Sequence, residues 1–179
     1  MDQFSVSFAK RGCMLLLDCR DESVEHVEFN HDQLALAVIN SHVRHELSQG
    51  EYAIRRQRCE SVSKTLGLES LRDLTWSMLE QSRGQLDDLS FLCAEHVVRE
   101  NERTLNFVQY MKNSDWLQAG EMLYQSHASL REKFQVSCVE LDGLVEFARE
   151  LGPEGGVLGA RMTGAGFGGS VIVLAEREK

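Results

Sequence analysis

Residues 157–174 read VLGARMTGAGFGGSVIVL, which is two β-like runs joined by a glycine-rich stretch. The apolar runs Val157 to Met162 and Ser170 to Leu174 are short and bounded by glycine, so they predict a pair of strands. The stretch between them fits G-x-G-x-x-G, but a dinucleotide-binding fold requires a helix after these glycines, and here a strand follows. No Gly-Lys-Ser/Thr follows either, which excludes a Walker A loop.

Two interpretations of this loop stay open. Its glycines could bring bare backbone N–H groups close to a phosphate, or press against another loop that binds one. They equally suit a wide hairpin turn that needs glycine only for its conformation.

Helical periodicity precedes this strand pair. It runs from Glu51 to Gly67 and from Leu89 to Met111, and Asn113-Ser114-Asp115 offers an N-cap for a further helix. A last helix is framed by Ser137-Cys138-Val139-Glu140, which fits a capping box, and by Gly152-Pro153, which ends it.

The first 45 residues contain short apolar runs that are typical of strands. Apolar runs at Met14 to Cys19, Val24 to Phe29 and Leu34 to Ile39 predict an antiparallel meander. Strands, then helices, then a strand pair indicate an α+β fold with helices packed on a mainly antiparallel sheet.

Composition narrows the class of protein. The chain has 179 residues, with 19 Lys and Arg against 28 Asp and Glu, for a formal charge of −9. This charge argues against nucleic-acid or anionic-membrane partners. The five cysteines lack CxxC spacing, so we expect reduced thiols in a cytoplasmic protein, with neither a zinc site nor a disulfide framework.

Other ionisable residues have ordinary explanations. Arg55-Arg56-Gln57-Arg58 is a basic cluster on a helix, of the kind that usually forms a solvated face or salt bridges. His96 and His127 fall on helices without a second ligand at metal spacing, so hydrogen-bonded histidines are expected.

Several stretches, in order along the chain, resemble conserved segments of galactokinases, the galactose branch of the GHMP kinases. They are Met1-Asp2-Gln3-Phe4, Leu15 to Arg20, Asn40 to His45 followed by Glu51 to Arg56, Ser126 to Leu130, Val136-Ser137 with Glu140 to Asp142, and Arg161 to Gly169. In the last segment Ala165 replaces a usual glycine, and Ser170 follows in place of a usual cysteine.

The resemblance implies transfer of the γ-phosphate of ATP to the anomeric hydroxyl of galactose. Asp2 matches the catalytic base, which also contacts the sugar; Tyr52 matches a sugar contact, and Arg44 lies in a segment near the nucleotide. The loop near the phosphate and the sugar comprises Thr163, Gly164, Ala165, Gly166, Phe167, Gly168 and Gly169. The implied fold is the ferredoxin-like C-terminal domain of GHMP kinases.

The family's first motif and its Gly-Leu-Gly-Ser-Ser phosphate loop do not occur in this sequence. The resemblance therefore implies the C-terminal half of a galactokinase, inactive alone. Residues 1–45 would be the remnant of the N-terminal domain, and residues 46–179 would be the C-terminal domain. Ligands for Mg²⁺ are expected in the other half, and self-association is expected through the surface that the other half would cover. Two alternatives stay open: a non-catalytic sugar-binding or regulatory relative, and a kinase for N-acetylgalactosamine.

Overall fold

A computed structural model describes residues 2–30, 32–44 and 48–178, and for residues 2, 44, 48 and 49 it describes the backbone alone. The strands are β1 (Cys13–Leu17), β2 (Val24–Glu28), β3 (Leu34–Arg44), β4 (Val157–Thr163) and β5 (Gly168–Glu176). The α-helices are α1 (Asp2–Phe8), α2 (Ser48–Thr65), α3 (Trp76–Gln81), α4 (Asp88–Lys112), α5 (Trp116–Ser129) and α6 (Val139–Leu151). Short 3₁₀ turns occur at Leu71–Asp73, Arg83–Gln85 and Pro153–Gly155, and Leu130–Phe134 is a π-helical turn after α5.

The strands form two antiparallel sheets, and the predicted α+β class is confirmed. β1 and β2 make a hairpin, whereas β5 lies between β3 and β4 in a second sheet. The predicted meander is wrong at its third strand, because β3 pairs with β5 along a register that places Leu34 opposite Glu176. Leu34 is fully buried in a cluster with Leu158 and Leu174, a long-range contact that short apolar runs do not reveal.

Helices α5 and α6 pack on the β4–β5 pair and bury the main core. Its central side chains come from α6 and from the two strands: Leu141, Val145, Met162 and Val171. Helix α4 packs on α5. One end of α4 contacts the β1–β2 hairpin, and the other end contacts α2 and α3. In the described part of the chain, no helix has the length and apolar character that crossing a membrane requires.

Among the four helices whose N-cap residues are described, α3, α4 and α5 begin with a side-chain cap and α6 does not. Asp87 and Asp115 accept hydrogen bonds from backbone N–H groups in the first turns of α4 and α5. The predicted capping box before α6 is wrong, because Cys138 is the N-cap residue. The Ser137 hydroxyl instead donates to Asp142 Oδ1 at 2.5 Å.

The predicted domain boundary at residues 45 and 46 stays a prediction. β3 lies before it in the sequence, yet it hydrogen-bonds to β5 in the same sheet as β4.

Helix α5 and strand β4 approach each other backbone to backbone. A Cβ atom at Gly120 would stand 2.0 Å from the Leu158 carbonyl oxygen, and one at Gly159 would stand 2.1 Å from the Gly120 oxygen. No side chain fits at either position, so this pair of glycines sets the distance between helix and sheet.

We therefore expect Gly120→Ala to lower the free energy of unfolding by about 1–3 kcal/mol, because the helix must move off the strand. The matched control is Gly143→Ala on the exposed side of α6, where an added Cβ meets nothing within 4 Å. That change should raise the free energy of unfolding by about 1 kcal/mol. Denaturant unfolding of both variants measures the contrast, and equal effects would contradict the close packing.

Candidate functional site

The glycine-rich loop joins β4 to β5 and is held from two sides. On one side the Phe167 N–H donates to the Val136 carbonyl at 2.7 Å, and a Cβ at Gly166 would lie 2.2 Å from the same oxygen. On the other side a Cβ at Gly168 would lie 2.4 Å from the Val43 carbonyl oxygen. Gly166 and Gly168 both have positive φ, so glycine is required there for conformation and for space.

The outer part of the loop faces open space. Gly164 and Ala165 are exposed, Gly164 has a φ of 84°, and a Cβ there would meet nothing within 4 Å. Gly169 is also exposed, and its carbonyl accepts a 2.7 Å hydrogen bond from the Ser41 hydroxyl. The two interpretations left open by the sequence therefore divide between glycines: the inner ones serve packing, and the outer ones present backbone to solvent.

The end of β3 lies beside this loop. The backbone of Arg44 pairs with Gly168 after an irregularity in register that begins at Asn40. Among the predicted site residues, Arg44 is thus brought to the loop directly, at the level of the backbone.

Helix α2 reaches the loop indirectly, through Arg55. Its Nε donates to the Phe134 carbonyl at 3.0 Å and its Nη2 to the Gln135 carbonyl at 3.3 Å. These carbonyls immediately precede Val136, which binds the loop. Tyr52, one turn before Arg55 on α2, is 47% exposed, and its side chain is accessible to a ligand.

The predicted base, Asp2, is the first residue of α1. That helix is held at its far end, where His26 Nε2 lies 2.7 Å from the Phe8 carbonyl oxygen. His26 belongs to the hairpin, which packs near Leu34, at the end of β3 opposite the loop. The side chain of Asp2 lies outside the part of the chain that the structure describes, so its position relative to Tyr52 and the loop stays a prediction.

Two histidines next to the site are buried, and both are hydrogen-bonded, as the sequence predicted. His96 Nδ1 lies 2.8 Å from the Ser129 hydroxyl, and its ring stacks on Phe134 with centroids 4.5 Å apart. His127 Nδ1 accepts the N–H of Met162, the residue before the loop, at 3.3 Å. Burial lowers the pKa of His96 to about 4, with Glu100 acting against it.

A charged network lies between α4, α5 and β4. Glu100 contacts both Arg103 and the Ser126 hydroxyl, and its Oε1 lies 3.2 Å from Arg161 Nη1. Arg161 also donates from Nε to the Met162 carbonyl at 2.9 Å. Burial lowers the pKa of Arg161, and the carboxylate of Glu100 acts against that shift. This network therefore holds the last residues of β4, Arg161 and Met162, in place before the loop.

The described residues include no group of three or more His, Cys, Asp or Glu side chains that could hold a metal ion. The exposed residues Gly164 and Ala165 offer backbone N–H groups, which as hydrogen-bond donors suit phosphate or sugar oxygens and not a divalent cation.

Comparison with known proteins shows what this chain is similar to. Residues 107–179 match the family described as GHMP kinases C terminal. The predicted resemblance to galactokinases is confirmed: the galactokinase of Thermotoga petrophila is 44% identical over 177 residues, covering 99% of this chain and 49% of that protein. The Homo sapiens galactokinase is 42% identical over 176 residues, covering 98% of this chain and 44% of that protein.

A solved structure agrees. Lactococcus lactis galactokinase complexed with galactose superposes with a TM-score of 0.90 at 31% identity, covering 97% of this chain and 45% of that one. The chain thus spans about half the length of the curated relatives it matches. The roles of Asp2, Arg44, Tyr52 and the loop residues stay predictions.

The sequence alone did not identify the residues that hold the glycine-rich loop. Val136, Ser137, His127 and Asp142 lie in two of the stretches that resemble galactokinases, and that resemblance was the available signal. Their contacts to the loop join distant parts of the chain, and no local period encodes them.

The lowered pKa of His96 predicts how the stability of the folded chain depends on pH. Its pKa in the folded chain is below the ordinary value of 6.5, so the unfolded chain binds more protons between about pH 6.5 and pH 4. The stability that His96 contributes is complete above that window. It falls by about 3 kcal/mol as the pH drops from 7 to 4.

The measurement is urea unfolding of the parent chain and of His96→Gln across this range. Because carboxylates titrate in both proteins, the difference between the two curves isolates His96. We expect the variant to have the flatter pH dependence, and parallel curves would contradict the buried, neutral imidazole.

Proposed function

We propose that this chain forms about half of a galactokinase-type sugar kinase, which transfers the γ-phosphate of ATP to the anomeric hydroxyl of galactose. The observation that carries the proposal is identity of 44% to a galactokinase across 99% of the chain. The loop adds physical support, since its inner glycines fix the backbone and its outer residues leave amides accessible.

Asp2 is proposed as the general base. Its carboxylate takes the proton of the anomeric hydroxyl as that oxygen attacks the γ-phosphorus, and ADP leaves with the electron pair of the broken P–O bond. This role rests on the match of the Met1-Asp2-Gln3-Phe4 segment to the family. Tyr52 is proposed to contact the sugar, which its accessible position on α2 allows.

The loop is proposed to lie against the phosphate and the sugar. Gly164 and Ala165 are exposed, and backbone N–H groups carry partial positive charge, so these two residues suit contact with developing charge on phosphate oxygens. Arg44 is proposed to lie on the nucleotide side, because its backbone flanks Gly168.

Mg²⁺ neutralises charge on the transferred phosphates in this class of reaction. The described residues do not form a site for it, so we propose that its ligands lie in the other half of the enzyme. The acidic charge and the five free thiols favour a cytoplasmic protein without nucleic-acid or membrane partners.

The decisive experiment places this chain in the Thermotoga petrophila galactokinase, replacing the 177 residues that it matches. We expect the chimera to phosphorylate galactose in an ADP-coupled assay, and the chain alone to be inactive because it lacks the phosphate loop. Asp2→Asn should lower kcat by about 10²- to 10⁴-fold, since the proton of the hydroxyl loses its acceptor.

Glu28→Gln on β2 is the control, because it removes an exposed carboxylate from the hairpin. A folded chimera that binds galactose in calorimetry without turnover would replace the kinase by a binding-only relative. Faster turnover of N-acetylgalactosamine than of galactose would change the assigned sugar.

The surface of β3 supports a further part of the proposal, that this chain self-associates when alone. β3 is an edge strand among the described strands, and Leu36 and Val38 on its outer face are 54% and 66% exposed. An unpaired edge with exposed apolar side chains favours pairing with another chain.

Light scattering of the isolated chain should therefore give at least the mass of a dimer, and Val38→Lys should shift it to the monomer by placing charge in the contact. Phe147→Lys, which changes an exposed apolar residue of α6, should leave the association unchanged. A monomeric parent chain would contradict the proposal.

A further inference from the structure

A closed set of contacts surrounds the glycine-rich loop. On the downstream flank Phe167 N–H donates to the Val136 carbonyl at 2.7 Å. On the upstream flank Met162 N–H donates to His127 Nδ1 at 3.3 Å. Both anchor points belong to segments outside the sheet, one after the π-helical turn and one on α5.

The two anchor points are joined to each other by side chains. Ser137, the neighbour of Val136, donates from its hydroxyl to Asp142 Oδ1 at 2.5 Å. The same oxygen lies 3.1 Å from His127 Nε2. We call Ser137, Asp142 and His127 the loop tether, because they connect the residue that holds Phe167 to the residue that holds Met162.

The chemistry of His127 fits this arrangement in one tautomer. Because Nδ1 accepts the Met162 N–H, the ring proton is assigned to Nε2. Nε2 lies 3.1 Å from Asp142 Oδ1 without the angles of a hydrogen bond, so this link of the loop tether is a charge–dipole contact. Burial lowers the pKa of His127, with Asp142 acting against it, so the ring is neutral at pH 7 and Nδ1 stays an acceptor.

The edge of the sheet explains why such a contact is needed. β4 is the other edge of the three-stranded sheet, so its outward N–H groups lack a strand partner among the described strands. Met162 is fully buried, and an unpaired buried N–H costs about 1–3 kcal/mol. A serine or a water could satisfy one N–H, whereas this histidine also connects Met162 to α6.

We propose that Ser137, Asp142 and His127 are positioning residues that hold the two flanks of the glycine-rich loop at a fixed separation, so that the Gly164–Ala165 backbone meets the phosphate and sugar correctly. The proposal rests on the proposed kinase function. Movement of the Met162 flank breaks its contact to His127, and movement of the Phe167 flank displaces Val136 and its neighbour Ser137, whose hydroxyl donates to Asp142. Small misplacements of a binding loop reduce catalysis strongly.

Ser137 offers the sharpest test, because its side chain is only partly buried and Thr retains the hydroxyl. In the isolated chain, amide hydrogen exchange followed by NMR should increase about tenfold at both Phe167 and Met162 in Ser137→Ala. Ser137→Thr should restore the parent rates. Met162 is the informative amide, because it is reached from Ser137 only through Asp142 and His127.

Catalysis is read in the chimera described above. We expect Ser137→Ala and His127→Gln to lower kcat about tenfold with less than a twofold change in the KM for galactose. Ser63→Ala is the matched control, since it removes a buried serine hydroxyl that donates to the Cys59 carbonyl within α2. It should leave exchange at Met162 and Phe167, and kcat, unchanged.

The outcomes separate the two proposals. Altered exchange at both flanks in a chimera without kinase activity would retain the tether and reject the kinase function. An active chimera in which Ser137→Ala changes neither the exchange at Met162 nor kcat would overturn the tether. Loss of global stability without a selective change at the two amides would do the same.

Discussion

The hydrogen bond from Phe167 N–H to the Val136 carbonyl is the contact on which the rest of the site depends. It joins the β4–β5 loop to the connection between α5 and α6. It also makes glycine obligatory at position 166, because a Cβ there would lie 2.2 Å from the oxygen that accepts the bond. The Arg55 side chain holds the two preceding carbonyls, so α2 depends on the same segment.

Close packing of backbone against backbone occurs at three places in this fold, and this contact is one of them. Gly120 against Gly159, Gly166 against Val136 and Gly168 against Val43 all place main-chain atoms where a side chain would not fit. Such contacts cannot relax by rotating a side chain, so they fix distances more tightly than apolar packing does. The result is a loop whose inner half is rigid while its outer half is accessible, which is what binding by backbone amides requires.

The parts of the fold that the sequence predicted are those encoded locally. The long stripe of α4, the end of α6 at Gly152 and the strand pair around the glycines each follow from spacing or from a glycine signal, and each was observed. Two local interpretations were wrong because a distant partner decided the outcome. β3 pairs with β5 and not with the β1–β2 hairpin, and Leu34 is buried where it does so. The Ser137 hydroxyl donates to Asp142 instead of capping α6. For the candidate site, Tyr52, Arg44 and the loop could be named from resemblance, whereas the side chains that hold the loop could be found only in three dimensions.

The positive charge available at the site depends on which groups its arginine side chains contact. Under the proposed kinase function, a chain with a formal charge of −9 would need local groups to attract the phosphates of ATP. Among the arginines whose side chains the structure describes, Arg55 and Arg161 hold the segments next to the loop by contacts to protein groups. Arg55 contacts two carbonyls and Glu51, and Arg161 contacts Glu100 and the Met162 carbonyl. Their charge stabilises the scaffold, so the loop itself contributes backbone dipoles and not a full positive charge. Backbone dipoles suit charge that develops at a fixed point, whereas initial capture of a tetra-anionic nucleotide favours a cradle and cations of its own. The proposed division of the kinase into two contributing halves therefore has an electrostatic reason: this half orients the reacting groups, and the half with the phosphate loop binds the charge.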